Sequence, residues 1–234
     1  MSNETTRKPA PSTKKEIVIA PEKVSCPLGG PVPLVVRYVN RTNGTLSFRE
    51  PAKTWEVKLL VGRPGAGPAE VPFGRIFVYK SGDLERRTIE DAETIVLQPG
   101  GVHEFKYDVG RRWPELFVPG VNLVGIKDES DDAETVFSNK IEVRAAYDKS
   151  TFPLLLAIVA DEQSTVDSCR FAAYWISRLY PGFEIATGAV TDEQRNENRK
   201  RIDLARAWWD AHGKDAETVK RIENLNREVG AAGR

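Results

Sequence analysis

The chain contains two histidines, His103 and His212, the side chains best suited to act as a general base near neutral pH. His103 lies between Val102 and Glu104 in an alternating segment. Because neighbouring strand residues point to opposite faces of a sheet, His103 and Glu104 cannot pair directly. His212 precedes Gly213, where an imidazolium is favoured by a helix C-terminus. We therefore expect an exposed strand histidine and a helix-capping histidine, without nucleophilic catalysis.

Other groups that could carry chemistry are isolated. The two cysteines, Cys26 and Cys169, lie far apart in the sequence, which excludes a cysteine-stapled or zinc-stapled small domain. The glycine-rich residues 62–68 lack the Gly-Lys-Ser/Thr ending of a phosphate-binding loop and are expected to form a hairpin or inter-sheet loop. No catalytic residue and no cofactor are predicted, and we expect the protein not to be an enzyme.

Acidic residues concentrate in one segment, residues 128–134, and carboxylate oxygens are the ligands that Ca²⁺ prefers. The candidate metal ligands are Asp128, Asp131, Asp132 and Glu134. The segment lacks the spacing and the central glycine of an EF-hand loop. A solvated hairpin tip is the interpretation that we favour over a metal site.

Tryptophans are the candidates for contact with a partner, because their large rings dominate protein and sugar interfaces. Trp208 and Trp209 are adjacent, about 100° apart on a helix, so both are buried only if that helix is flanked on two sides. Trp113 lies between two predicted strands and either closes one end of the sheet structure or binds a ligand. Packing in the core or between the two parts of the chain is the interpretation that we favour for the tryptophans over contact with a partner.

The first part of the chain, residues 16–147, has the pattern of short strands separated by turns rich in Gly, Pro and Asn. No stretch long enough for a helical crossover separates most of these strands, so we expect a mainly antiparallel, immunoglobulin-like β-sandwich. Residues 1–15 are expected to be a disordered or linker segment. The predicted strands cover residues 16–20, 32–39, 45–49, 55–61, 73–80, 94–97, 102–109, 122–127 and 136–144.

The second part, residues 152–230, has the spacing of an all-α module of about three helices, and the apolar run at residues 152–160 is expected to be a buried element. The first helix carries the aromatic residues near 171–179, with Ser164 or Thr165 as N-cap. The second begins with a capping box from Thr191 to Gln194 and ends at Gly213. The third, residues 215–229, carries an apolar stripe of Val219, Ile222, Leu225 and Val229.

Residues 170–179, an irregular connection, and residues 199–209 resemble the terminal helical pair of bacterial HEAT-like repeat proteins over about 40 residues. The Trp208-Trp209 ending is the distinctive part of this resemblance. It implies a role in scaffolding and binding, without catalysis.

The composition narrows the classes of partner. The chain has 234 residues, with 34 Lys and Arg against 34 Asp and Glu, so no net charge attracts it to nucleic acid. No apolar run approaches the ~20 residues of a membrane span. The sequence as written predicts a cytoplasmic protein, or a periplasmic or secreted one if a signal peptide has been removed.

These observations favour a non-catalytic protein-binding or assembly protein, with a protein partner or a second copy of the chain bound through the helical module. The alternative is a carbohydrate-binding module or a glycoside hydrolase that uses Asp/Glu pairs and a tryptophan platform, with a glycan as ligand.

Overall fold

The computed structural model describes residues 15–54, 56–73, 77–80, 83–86, 94–131, 134–188 and 190–232, with residues 53, 77–80, 83–86, 131 and 229–232 described by their backbone alone. Strands occupy the first part of the chain, and the long helices follow it. The expectation of a two-part α+β chain is therefore confirmed. The predicted N-terminal segment, residues 1–15, lies outside the described residues except for Lys15.

The strands are β1 (Lys15–Pro21), β2 (Ser25–Pro27), β3 (Pro33–Asn40), β4 (Leu46–Arg49), β5 (Val57–Gly62), β6 (Ala69–Pro72), β7 (Phe77–Lys80), β8 (Asp83–Arg86), β9 (Thr94–Leu97), β10 (Val102–Asp108), β11 (Gly120–Asp131), β12 (Glu134–Phe137) and β13 (Ile141–Ala146). The helices are α1 (Val109–Arg112), α2 (Thr151–Ala160), α3 (Val166–Ser177), α4 (Asp192–His212) and α5 (Ala216–Ala232), and short 3₁₀ turns lie at Pro51–Lys53 and Pro114–Leu116.

Two sheets carry most of the strands. One has the order β1-β3-β10, and the other has the order β2-β13-β11-β5-β6, with β12 paired to β11. Two small antiparallel sheets, β4-β9 and β7-β8, accompany them. Every described pairing is antiparallel except that of β2 with β13. The expectation of mainly antiparallel sheets is confirmed.

Alternation along the strands places one set of side chains in a shared core, as period-two patterns require. On β10, for example, Phe105 is half-buried while Glu104 and Lys106 on either side are exposed. The core of the β-part is apolar and draws on both large sheets, including Ile17, Ile19, Leu34, Val36, Tyr38, Val57, Leu59, Val61, Val124, Ile126 and Val143.

The long strand predicted at residues 136–144 is instead two strands, β12 and β13, separated by Ser138, Asn139 and Lys140. The Ile126 N–H donates to Ser138 Oγ at 2.8 Å. Asn139 accepts from the Ile19 N–H at 2.7 Å and donates to the Ile19 carbonyl at 2.9 Å. Because these side chains take backbone partners of their own, they interrupt the strand and tie the outer edge of β1 to the other large sheet.

The predicted strand at residues 102–109 ends one residue early for a similar reason. Asp108 accepts from the Arg111 N–H as the N-cap of α1, and it also accepts from the Val32 N–H at 2.9 Å. An Asp in this position begins a helix rather than extending a strand. Of the strand predicted at 73–80, residues 77–80 form β7, Phe73 lies in a turn after β6, and residues 74–76 lie outside the described residues.

The C-terminal part contains four described helices rather than about three, because the apolar run at 152–160 is itself helix α2. Phe152, Leu155 and Leu156 of this helix are buried. The predicted capping box of α4 is present, with Thr191 and Gln194 bonded reciprocally, and the helix ends before Gly213 as expected. Thr165, one of the two predicted caps, is the N-cap of α3.

The apolar stripe of α5 differs from the prediction at its N-terminal end. Ile222 and Leu225 are buried as expected, but Thr218 is buried in place of Val219, whose side chain is exposed. Both residues lie within one turn of Ile222, so spacing alone allows either to face the core. The side chain of Val229 lies outside the described residues.

Candidate functional site

The candidate metal site begins at Asp128, which the structure places in the interior rather than at a solvated hairpin tip. The Asp128 side chain is 1% exposed, and Lys15 Nζ donates to its Oδ2 at 2.8 Å. Ser130 donates to Oδ1 through both its backbone N–H, at 2.9 Å, and its hydroxyl, at 2.6 Å. The expectation of a solvated Asp128 is wrong, because β11 continues through this residue and turns its carboxylate toward β1.

The other predicted metal ligands are not brought onto Asp128 by any described contact. Glu134 is the half-buried first residue of β12, Asp131 is described by its backbone alone, and Asp132 lies outside the described residues. Among the side chains that the structure describes, no group of three or more His, Cys, Asp or Glu residues is arranged to hold a metal ion. A calcium-binding role for this segment stays a prediction.

The buried ion pair of Lys15 and Asp128 adjoins Tyr38 of β3. Lys15 Nζ lies 6.0 Å from the centre of the Tyr38 ring, which stacks on Phe48 at 4.5 Å. Burial and, secondarily, the nearby Asp128 carboxylate raise the pKa of Tyr38 well above its ordinary value. This group of side chains joins β1, β3 and β11, and we assign it a structural role.

The region around Trp113 is the second candidate. Trp113 is half-buried after α1, its ring meets Phe73 edge-on at 5.9 Å, and the Arg112 guanidinium lies 4.8 Å from the ring centre. Burial lowers the pKa of Arg112. Tyr107 also packs edge-on against Phe73, at 4.8 Å, and burial, with the Glu50 carboxylate as the next cause, raises its pKa. One side of the Trp113 ring is thus taken by a cation–π contact within the chain.

Both tryptophans of the Trp208-Trp209 pair are half-buried and engaged inside the helical module. Trp209 stacks on Phe152 of α2 with ring centres 4.7 Å apart and an interplanar angle of 10°. Trp208 lies 5.6 Å from the same Phe152 ring and 5.2 Å from Tyr180. Phe152 therefore packs against both tryptophan rings, and Tyr180 covers part of Trp208.

The histidines occupy different surroundings from each other. His103 is half-buried rather than exposed, with its ring 4.6 Å from Phe105 and 6.4 Å from Phe48. His212 is exposed at the end of α4, and its Nδ1 lies 2.9 Å from the Asp215 carboxylate. His103 thus packs against aromatic rings, and His212 lies beside a carboxylate at the surface.

The junction between the β-part and the helical module contains residues that the sequence analysis missed. Ser168 of α3 donates through its hydroxyl to Glu115 Oε2 at 2.8 Å, across 53 positions of the chain. Asn226 of α5 accepts from the Tyr147 N–H at 2.8 Å and donates to the Tyr147 carbonyl at 2.7 Å. The Tyr147 hydroxyl donates to the Trp175 carbonyl at 3.4 Å. No sequence motif links these positions. The local signals near them are a glutamate, Glu115, two residues after Trp113 and a serine, Ser168, three residues after the N-cap Thr165.

Helices α3, α4 and α5 each expose a large hydrophobic side chain. Tyr174 of α3 is 56% exposed, Leu204 of α4 is 63% exposed and Val219 of α5 is 43% exposed. The β-part exposes Val24, Val96, Val102 and Phe137. We define Tyr174, Leu204 and Val219 as the helical surface set, which is the candidate site for a partner.

None of the helices among the described residues is long and apolar enough to span a membrane. This agrees with the absence of a predicted span in the sequence.

No family model and no curated protein matches this chain. Among solved structures, the sporulation control protein Spo0M from Bacillus subtilis aligns with 62% of this chain and 54% of its own, at 13% identity and a TM-score of 0.35. The β-glucosidase EmGH1 from Erythrobacter marinus aligns with 57% of this chain and 16% of its own, at 16% identity and a TM-score of 0.33.

A β-glucosidase from Listeria innocua in complex with isofagomine gives the same coverage, 57% and 16%, at 14% identity and a TM-score of 0.32. The chain thus spans about half of the sporulation protein and a small part of each glucosidase. At these TM-scores the similarities carry no argument about the fold or the function of this chain.

Proposed function

We propose that this chain is a non-catalytic protein-binding or assembly protein in which the helical module is the adaptor. The observation that carries the proposal is the helical surface set, because large hydrophobic side chains exposed on packed helices are the kind of group that protein interfaces bury. The internal faces of the same helices are already occupied. Trp209 stacks on Phe152, and Asn226 bonds the Tyr147 backbone.

We also propose that the β-part is an immunoglobulin-like sandwich. In that fold, strands A, B, E and D form one sheet and strands C, F and G form the other. The order β1-β3-β10 supports the assignment of strands A, B and E, and the neighbouring strands β5, β11 and β13 of the other large sheet support that of C, F and G. Sandwiches of this kind serve as rigid supports for binding elements, which is the role that we propose for it here.

The test compares two matched triple variants, each of which replaces three exposed hydrophobic residues by serine. One changes the helical surface set (Tyr174→Ser, Leu204→Ser and Val219→Ser), and the other changes valines of the β-part (Val24→Ser, Val96→Ser and Val102→Ser). Partner capture from a lysate and the concentration dependence of the molar mass are measured for both variants and for the unchanged chain.

We expect the helical variant to lose the captured partner or the concentration-dependent mass, and the β-part variant to retain it. The proposal is wrong if both variants behave like the unchanged chain. Quenching of tryptophan emission by oligosaccharides, lost in Trp113→Ala, would instead support the carbohydrate-binding alternative.

A further inference from the structure

A hydrogen-bonded chain of side chains joins the β-part to helix α3. Thr165 Oγ1 and Ser168 Oγ lie 2.8 Å apart, and the Ser168 hydroxyl donates to Glu115 Oε2 at 2.8 Å. Glu115 belongs to the 3₁₀ turn Pro114–Leu116, which packs on α3, and the Ser168 side chain is buried. The Glu115 carboxylate therefore lies at the junction between the β-part and the helical module.

The charges around this carboxylate do not neutralise it. On α3, Asp167 carries a like charge, and Arg170 lies 3.9 Å from the Asp167 carboxylate. On α1, which also packs on the 3₁₀ turn, Arg111 pairs with Asp108 at 3.4 Å, and Arg112 lies over the Trp113 ring. The described partners of Glu115 are thus neutral: the Ser168 hydroxyl and its own backbone N–H.

We propose that Glu115 is a proton-sensitive latch, which holds the helical module on the β-part more firmly when its carboxyl group is protonated than when it is ionised. The geometry supplies the reason, since a half-buried carboxylate without a cationic partner among its described contacts opposes the packing of the two surfaces around it. A neutral carboxyl group keeps a carbonyl oxygen that can accept from Ser168, so the contact survives protonation.

The direction of the pH effect follows from the pKa of the group. Burial raises the pKa of Glu115 above its ordinary 4.5, and Asp167 adds to this, while the hydrogen bonds from Ser168 and the backbone oppose it. Unfolding returns the pKa to its ordinary value. The contribution of Glu115 to stability is therefore greatest below pH 4.5 and is lost as the pH rises through the raised pKa.

The test measures the urea midpoint of the full chain between about pH 4 and about pH 8, a range that spans the titration of a shifted glutamate. The variants are Glu115→Gln, which keeps a neutral acceptor for Ser168, and Glu162→Gln, which removes a charge from an exposed residue between α2 and α3. Hydrogen exchange of a peptide covering residues 165–177 reports on the junction itself.

We expect Glu115→Gln to raise the midpoint near pH 8, to match the unchanged chain near pH 4, and to slow exchange in residues 165–177 at the higher pH. Glu162→Gln should follow the unchanged chain throughout. A difference between Glu115→Gln and the unchanged chain that stays constant with pH would overturn the proposal.

A second variant keeps the test decisive if glutamine packs poorly at this position. Ser168→Ala removes the donor that favours the ionised carboxylate, so the midpoint should fall more steeply with rising pH than in the unchanged chain. A pH profile parallel to that of the unchanged chain would also overturn the latch.

Discussion

At the scale of single residues, asparagine amides replace missing backbone partners at three places. Asn139 bonds both the N–H and the carbonyl of Ile19, Asn198 does the same for Ala186, and Asn226 does so for Tyr147. A side-chain amide has the donor and acceptor of a peptide group, so one residue satisfies the N–H and the carbonyl of a backbone position that no strand pairs on that side. Sequence spacing does not reveal such pairs, which join residues up to 120 positions apart.

Gly29 is a position where the backbone and the packing both demand glycine. Its φ is +71°, and a Cβ would lie 2.8 Å from Leu155 Cδ2 of α2. We expect Gly29→Ala to lower the free energy of unfolding by about 1–3 kcal/mol, measured by urea denaturation.

Gly65 is the matched control for this prediction, because its φ is +81° but nothing lies within 4 Å of the added Cβ. Gly65→Ala should cost only the backbone strain, of the order of 1 kcal/mol. Equal losses in the two variants would show that the contact with Leu155 is relieved by small shifts.

The buried ion pair gives the second prediction at this scale. Asp128→Asn removes the carboxylate that pairs with the buried Lys15 ammonium, and we expect a loss of about 3–5 kcal/mol in the free energy of unfolding. Urea denaturation at constant pH measures it.

The double variant Lys15→Met and Asp128→Leu separates charge from packing. It should recover most of the loss, since an apolar pair leaves no unpaired charge in the interior. A double variant as unstable as Asp128→Asn would indicate that shape, rather than charge, dominates at this position.

At the scale of elements, the local signals of the helices were sufficient to place their ends but not their buried faces. Thr165, Thr191 and Gly213 mark helix ends as predicted, because caps act through backbone groups within one turn. The exchange of Thr218 for Val219 on the buried face of α5 was decided by the surface on which the helix docks. Trp208 and Trp209 are both accommodated because Phe152 of α2 packs against both rings and Tyr180 packs against Trp208.

The docking of α5 is testable through Asn226. Asn226→Ala leaves the N–H and the carbonyl of Tyr147 without their partners, and we expect the free energy of unfolding to fall by about 2 kcal/mol. Thermal unfolding followed by circular dichroism measures the change.

Asn224, an exposed residue of the same helix, is the matched control. Asn224→Ala should leave the stability within about 0.5 kcal/mol of the unchanged chain, because it alters no buried contact. An equal effect of the two substitutions would show that helix propensity, not the Tyr147 contact, sets the cost.

At the scale of the whole molecule, the two parts share one hydrophobic core. The cluster of buried side chains runs without a break from Leu28 of the β-part through Tyr147 to Phe152 and Leu155 of α2. Hydrogen bonds from Ser168 and Asn226 also cross the junction between the β-part and the helical module. A continuous core of this kind makes separate unfolding of either part costly, since it would expose apolar surface on the other.

We therefore expect a single cooperative unfolding transition. The test uses a variant in which Trp113 is the only tryptophan, so that its emission reports on the β-part. The far-ultraviolet circular dichroism signal of this variant, which the helices dominate, should give the same urea midpoint as the emission. Two separate midpoints would contradict the shared core and would indicate that the helical module separates from the β-part before the β-part unfolds.

The sequence by itself determined the two-part α+β organisation, the mainly antiparallel pairing and the ends of the long helices. These features depend on the period of the hydrophobic pattern and on caps and turns, which act over a few residues. It also identified Trp113, Trp208 and Trp209 as the candidate residues for contact with a partner.

Only the tertiary structure decided which of these groups lie together. It buried Asp128 against Lys15, placed His103 among aromatic rings, and brought Glu115 to Ser168 and Asn226 to Tyr147. Each of these contacts joins residues far apart in the chain, so it depends on how the sheets and helices pack rather than on any local pattern. The exposed helical surface set is defined in the same way, by what the packing of the helices leaves uncovered.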